Sequence, residues 1–478
     1  MALEIEPKLL WNYFAEISKI PRCSGNEKAV GDFIEQEAEK LGLKHIREEI
    51  GNVIVYVDAT KGFENKPPII LQAHLDMVCE KNRDVKHDFT KDPIKLIKDK
   101  DWIHADGTTL GADNGVGVAS LLAIMADKEL KHGPLELVFT ISEETGMDGA
   151  YNLNPEHLKG KILINVDSEE DDHIYIGCAG FGGTILKYLL DYEPIMGEAY
   201  RISVTGLRGG HSGGDIHLGR ANAIKVLSRI LWFANQEHDF QLVDFISDSK
   251  INAIPREAFA TITVTSEEKD KLFEYMNELA AQIKKEYEER EPNFTFKIEK
   301  VKEPKQAISG SLIDDILDML MALPHGVVSM SHELPDLVET SNNLAYVKIE
   351  NDQLVIGTST RSSIASALKA SKATIMAIAD LAGAIYETTQ DSPAWTPNFK
   401  SELVNKAKKI YKDLFNEEPK VKAIHAGLET AIFYEKIPGI DMISIGPTIE
   451  HPHSPEERVS ISSVQKFWKF LLNLLELL

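Results

Sequence analysis

The chain has 478 residues, 43% of them hydrophobic, and its 75 acidic against 52 basic side chains give a formal net charge of -23. That length allows two or three domains with ordinary globular cores, while so acidic a surface argues against nucleic acid or an anionic membrane as the main partner. No run approaches the roughly 18 consecutive apolar residues of a membrane span.

The opening "MALEIEPKLLWNYFAEISKI" is charged and amphipathic, with no apolar core of signal-peptide type. A soluble, cytoplasmic protein is expected. Cys23, Cys79 and Cys178 are too few for a disulfide framework and match no thiolate metal spacing, so buried, reduced thiols are expected.

Helices are predicted first, at "PKLLWNYFAEISKI" and "NEKAVGDFIEQEAEKLG". Strands follow at "NVIVYVD" and "PPIILQAH", a buried helix at "NGVGVASLLAIMADKEL", then the near-continuous apolar strands "LELVFTIS" and "KILINVD". Apolar strands alternating with helices predict a mainly parallel sheet covered on both faces. After about Gly180 the strands "AYRISVTG", "AFATITVTS" and "NFTFKIEK" alternate apolar and polar residues, with amphipathic helices between them. A second round, "NLAYVKIE", "QLVIGTSTR" and "SSIASALKASKATIMAIADLAGAIY", reads as a duplicated α+β unit. From about Pro393 helix and apolar strand return, ending in the Leu-rich "SISSVQKFWKFLLNLLELL", whose lack of a basic face points to core or interface.

Potential ligands gather where strands end. His74 and Asp76 follow the run "IILQA"; two apart on an extended chain, they point the same way, and the carboxylate could fix the imidazole tautomer while the other nitrogen binds metal. Asp113 lies in a glycine-rich turn before a helix. Glu143 and Glu144 end "LELVFTIS", Asp167 ends "KILINV", and His451 and His453 follow "GIDMISIG". Each alone reads as a solvated acid, a helix cap or a satisfied core histidine. Together they occupy the carboxyl ends of strands, where parallel α/β sheets collect functional residues.

Two imidazoles with several carboxylates suit Zn²⁺ or Mn²⁺ better than thiolate-selecting metals. In a two-metal hydrolase Asp113 would bridge, with His74 and Asp167 on one ion and Glu144 and His453 on the other. Glu143 is left as the general base that hydrolysis needs.

The runs "HLDMV", "GTTLGADNG", "ISEETGMDGA", "NVDSEE", "GGHSGGDIHLGRANA", "NAIPREA", "HAGLE" and "HSPEERV" span His74 to Val459 and resemble the M20 family of metallopeptidases, most closely its aminoacyl-histidine dipeptidase branch. The resemblance implies a zinc-peptidase-like α/β catalytic domain with a mixed sheet and flanking helices (residues 1–185 and 393–478), interrupted by an α+β lid domain (186–392). It implies hydrolysis of Xaa-His dipeptides by two divalent ions, zinc or else manganese or cobalt; the enlarged lid either pairs with a second chain to make a homodimer or takes the place of a partner subunit. His74, Asp113, Glu144, Asp167 and His453 would be the ligands, His453 rather than His451 because it directly precedes the Ser-Pro-acid-Glu run. Asp76 would orient His74, Glu143 would be the base, His211 would polarise the scissile carbonyl, and Asn252 and Arg361 would bind the substrate carboxylate.

An N-acyl amino acid deacylase or a tripeptidase fits the same scaffold. Two more distant readings also compete. "GHSGG" fits the G-x-S-x-G nucleophile elbow and would make Ser212 a nucleophile, although neither the strand nor the helix that an elbow requires flanks it. A non-catalytic metal-binding protein would leave Glu143 without a task.

Overall fold

The structure, a computed structural model, describes residues 5–478; residues 1–4, with the start of the expected first segment, lie outside the described residues. The chain divides into two compact units.

The first unit holds the described residues up to Cys178 together with Pro397–Ala423 and Leu428–Leu478. Its sheet has eight strands in the order Lys44–Arg47, Val53–Val57, Leu135–Thr140, Ile69–His74, Ile162–Asn165, Asp441–Ser444, His173–Cys178 and Lys420–Ile424. The four from Leu135–Thr140 to Asp441–Ser444 are mutually parallel, and antiparallel pairs flank them, so the sheet is mixed. Every residue of Ile69–His74 and Leu135–Thr140 is buried, as strands covered on both faces must be, and this is why they read as continuous apolar runs.

The helix Ala112–Ala126 is apolar nearly all round and correspondingly buried. The closing helix Ile461–Leu477 sinks Val464, Phe467, Phe470, Leu471 and Leu474 into the same core, which answers for its leucine-rich sequence. Truncating a phenylalanine so placed costs about 3–5 kcal/mol.

The second unit is Ala179–Thr396 with Ile424–Gly427. A four-stranded antiparallel sheet (Gln241–Ile246, Ala258–Val264, Glu198–Thr205, Thr295–Lys300) carries the helices Ala223–Glu237 and Lys269–Glu286. A five-stranded antiparallel sheet (Gly326–Met330, Val338–Glu350, Gln353–Ser362, Gly180–Leu189, Ile385–Thr388) carries Ala365–Ala382, and the helix Ile313–Ala322 packs against that helix and Ala223–Glu237. One apolar core joins both halves. A boundary at 185/186 would cut the strand Gly180–Leu189, which pairs along its whole length with Gln353–Ser362; the division lies at Cys178 instead.

The expectation of three buried, reduced thiols is corrected. Cys23 and Cys79 form a disulfide with Cα atoms 5.7 Å apart, and Cys178 is buried outside that bond. The pairing is local: a parallel bridge between Cys23 and Met77 lays the two segments side by side, within disulfide reach. Among the described residues no helix is long and apolar enough to cross a membrane.

Candidate metal centre

The central strands run parallel, so their carboxyl ends share one edge of the sheet, and the residues just beyond those ends converge. His74 closes Ile69–His74, Glu143 and Glu144 follow Leu135–Thr140, and Asp167 follows Ile162–Asn165. Asp113 opens the helix Ala112–Ala126, and His453 sits in the turn between Ile449–Glu450 and Arg458–Ser460 with φ +60°. A non-glycine residue held in that left-handed region needs surrounding structure to maintain it.

His74 Nε2 lies 3.0 Å from Asp113 Oδ1 and 3.2 Å from Asp167 Oδ1. His453 Nε2 lies 3.1 Å from Asp113 Oδ2 and 3.0 Å from Glu144 Oε2. Two donor triads result, His74–Asp113–Asp167 and Asp113–Glu144–His453, each with its ligand atoms within 4.8 Å of one another and with Asp113 in both. Glu143 falls in a third group with His74 and Glu144, beside the donors that share Asp113. The structure thus brings together all five sequence-predicted ligands and Glu143. His451 is in none of these groups.

Asp76 is fully buried and organises the edge. Its Oδ1 lies 3.3 Å from His74 Nδ1. Its two oxygens accept the backbone N–H of Glu143 at 3.0 Å and of Glu144 at 3.2 Å, and Ser24 Oγ donates to Oδ2 at 2.7 Å. One carboxylate therefore faces the imidazole and holds both glutamate backbones.

So many acids in one buried place repel one another, and their proton affinities record it. Burial pushes Asp167 up to about 6, aided by the charges of Asp113 and Glu144. Burial also raises Glu143 well above the usual carboxylate range. Asp76 goes the other way: burial opposes its charge, but the hydrogen bond and charge of His74 bring it down to about 2. His453, bonded to Asp113 and Glu144, is raised to about 11. Burial disfavours charge on His74, yet Asp167, Asp113 and Asp76 hold it well above an ordinary imidazole. These imidazoles keep protons because the anions around them need a cation. The donor chemistry fits divalent metal, and Glu144 Oε1 and Asp167 Oδ1 are buried with no hydrogen bond among the described residues.

The second unit holds the other expected residues. His211 Nδ1 accepts the backbone N–H of Gly213 at 3.2 Å and of Gly214 at 3.0 Å, which leaves the ring proton on the exposed Nε2. Burial and the charge of Arg361 both lower its pKa, so the ring is a neutral donor. Arg361 is 8% exposed and stacks 5.1 Å from the Phe181 ring; its Nε has no hydrogen bond, and burial alone lowers it to about 10. A buried guanidinium without a carboxylate among the described residues is an anion site in search of its anion. Asn252 is exposed, and its carbonyl accepts the Ser212 backbone N–H at 2.8 Å.

The Ser212 elbow does not form. Only the two-residue strand Gly210–His211 precedes it, the 3₁₀ turn Ile216–Leu218 follows, and Ser212 Oγ is buried with no partner among the described residues. A nucleophilic serine needs a base within hydrogen-bond reach.

Sequence reasoning missed Arg22, Glu457 and His425. Glu457 lies inside "HSPEERV", which was read only for its histidine. Arg22, in "IPRCSGNE", has no periodicity or metal-ligand spacing to mark it. His425 bonds through Nε2 to Ser341 Oγ at 2.7 Å.

Fold and centre together define a hydrolase of the metallopeptidase class. The description "Peptidase family M20/M25/M40" matches residues 70–477, and the chain belongs to that family. It is 42% identical to the cytosol non-specific dipeptidase of Escherichia coli over 99% of this chain and 98% of that protein. It superposes on the crystal structure of aminoacylhistidine dipeptidase from Vibrio alginolyticus with a TM-score of 0.93 at 41% identity, covering 99% of this chain and 97% of that one. A tripeptidase from Staphylococcus aureus shares the fold alone, with a TM-score of 0.56 at 17% identity over 99% and 98% of the two chains.

Proposed function

We propose that this chain is a dinuclear metal-dependent dipeptidase. The observation that carries the reading is the pair of donor triads sharing Asp113, the arrangement a two-metal hydrolase needs. When bound, two divalent ions, zinc or else manganese or cobalt, would polarise the scissile carbonyl and the attacking water. His74, Asp113 and Asp167 would hold one, and Asp113, Glu144 and His453 the other.

The chain's own groups do the rest. Asp76 Oδ1 faces His74 Nδ1 at 3.3 Å and would hold the ring proton on that nitrogen, turning the Nε2 lone pair toward the centre. Glu143 takes the proton of the attacking water on its carboxylate and passes it to the leaving amine. Burial raises its proton affinity above that of an ordinary carboxylate. The second unit serves as the lid. The Nε2–H of His211 donates to the oxygen on which negative charge develops, and Arg361 with Asn252 takes the substrate's C-terminal carboxylate. The name of the Vibrio relative supports Xaa-His substrates such as β-alanyl-histidine, whereas that of the Escherichia coli relative supports a broader range.

Pairing of two chains through the lid is supported by the strand Gly326–Met330. It edges its sheet with Val327 40%, Val328 52% and Met330 40% exposed, and an exposed apolar edge strand invites another chain. The word "cytosol" in one relative's name supports a cytoplasmic location.

The test is a hydrolysis panel on metal-reconstituted protein, comparing dipeptides, tripeptides and N-acyl amino acids. Turnover confined to dipeptides is expected. Preference for acyl amino acids would make the chain a deacylase, and preference for tripeptides a tripeptidase.

A further inference from the structure

The two missed residues of the first unit do something the ligands cannot do for themselves. Glu457 is 2% exposed, and its carboxylate accepts four consecutive backbone N–H groups. Oε2 takes Leu110 at 2.7 Å and Gly111 at 2.8 Å; Oε1 takes Ala112 at 2.7 Å and Asp113 at 3.2 Å. Ala112 and Asp113 are among the groups that a helix start leaves without partners, Leu110 and Gly111 lead into it, and charge-assisted bonds to such amides are the strong kind.

Arg22, also 2% exposed, grips carbonyls on two loops. Its Nη1 donates to Leu75 and Asp76 at 3.0 Å each, and its Nη2 donates to Gly111. The fit leaves no room for a side chain at Gly111, where φ is +69° and a Cβ would stand 2.6 Å from Arg22 Nη2. Arg22 therefore ties the Asp76 loop to the Asp113 loop. Glu457 ties the Asp113 loop to its own, which carries His453 four residues earlier.

We propose that Glu457, with Arg22, is a positioning residue that holds the 110–113 backbone, and through it the carboxylate of Asp113, in its ion-bridging orientation before any ion binds. This rests on the dinuclear reading above. A carboxylate shared by two ions must be aimed at both, and a mobile loop would have to be ordered at the expense of binding free energy. Neither side chain has to touch an ion or substrate for this.

The test is calorimetric titration of Zn²⁺ into metal-free full-length protein, wild type beside Glu457→Gln and Arg22→Lys. Glu457→Gln keeps the size but loses the charge and one acceptor. At least one of the two ions should bind tenfold or more weakly, and the rise in melting temperature on adding metal should shrink. With excess Zn²⁺, kcat should recover in part while KM stays within twofold of wild type. A merely structural role would lower the metal-free and metal-loaded melting points equally and leave affinity unchanged; that result, in a folded variant, overturns the proposal.

Should both variants fail to fold, hydrogen exchange on the metal-free wild type decides. Protection of the Leu110–Asp113 amides comparable with that of the helix following them is expected, and free exchange there refutes preorganisation. A wild-type chain that binds no Zn²⁺ would instead overturn the dinuclear reading, so the two failures are distinguishable.

Discussion

In the first unit five carboxylates (Asp76, Asp113, Glu143, Glu144, Asp167) and two imidazoles crowd one edge of a sheet. In the second, Arg361 is buried with no carboxylate partner among the described residues, beside a neutral His211. One region has gathered negative charge that wants cations; the other keeps a bare positive charge that wants an anion. Each arrangement is costly as it stands, since unpaired buried charge is disfavoured. The contrast teaches that both regions are organised around something the chain itself does not supply. Metal fits the first, and the proposed substrate carboxylate would fill the second.

Removing the cations should have the largest effect. Dialysis against a chelator should abolish peptide hydrolysis, and Zn²⁺, Mn²⁺ or Co²⁺ should restore it. The metal-free protein should also melt lower, because ligands from before and after the intervening unit lose their common partner. Unchanged turnover after prolonged chelation would break the comparison at its first half.

Next in size is the base. Glu143→Gln removes a proton acceptor and little else, so kcat should fall by the ~10²–10⁴-fold typical of general-base loss. Stopped-flow or endpoint kinetics at saturating substrate would show it, and near-normal kcat would reassign the proton to another group.

The second half of the comparison is sharpened by Arg361→Met. A charge-assisted contact is worth about 1.5–3 kcal/mol, so kcat/KM on free dipeptides should drop roughly 10- to 100-fold. C-terminally amidated dipeptides should be poor substrates for wild type, and the variant should hardly distinguish them from free ones. Equal wild-type rates on free and amidated peptides would remove Arg361 from recognition.

The last effect is on stability and leaves turnover aside. Burial, with the nearby Arg361 charge, pushes His425 down to about 3, against about 6.5 for an unfolded histidine. As pH falls below 6.5 the unfolded chain gains a proton that the folded one refuses. Stability is therefore lost with falling pH between about 6.5 and 3, by up to about 1.4 kcal/mol per pH unit for that one group. In urea titrations at successive pH values His425→Gln should show a shallower slope; an identical slope would mean that His425 charges within the fold.

These two regions were unequally legible in the sequence. Parallel strands announce themselves as apolar runs, and a strand end is a definite address. His74, Glu143, Glu144 and Asp167 could therefore be placed from pattern and chemistry alone. Nothing local marks Arg361 or His211 in that way: one sits on an antiparallel strand that otherwise packs, the other in a glycine-rich turn, and only family resemblance singled them out. Glu457 and Arg22 were invisible for a different reason. They act on backbone amides and carbonyls far away in sequence, and no spacing rule registers such a partner. The Cys23–Cys79 bond was missed likewise, because composition shows how many thiols there are but not which segments lie side by side.

The central claim is that the two neighbouring glutamates divide their labour, Glu144 on an ion and Glu143 on the proton, around a carboxylate that both ions share. Metal content of the purified wild type, Glu143→Gln and Glu144→Gln tests it most directly, by elemental analysis after equilibration with limiting Zn²⁺. Two ions per chain are predicted for wild type and for Glu143→Gln, with a clear deficit in Glu144→Gln, because loss of an anionic ligand weakens binding. A full complement in Glu144→Gln together with a deficit in Glu143→Gln would contradict the account.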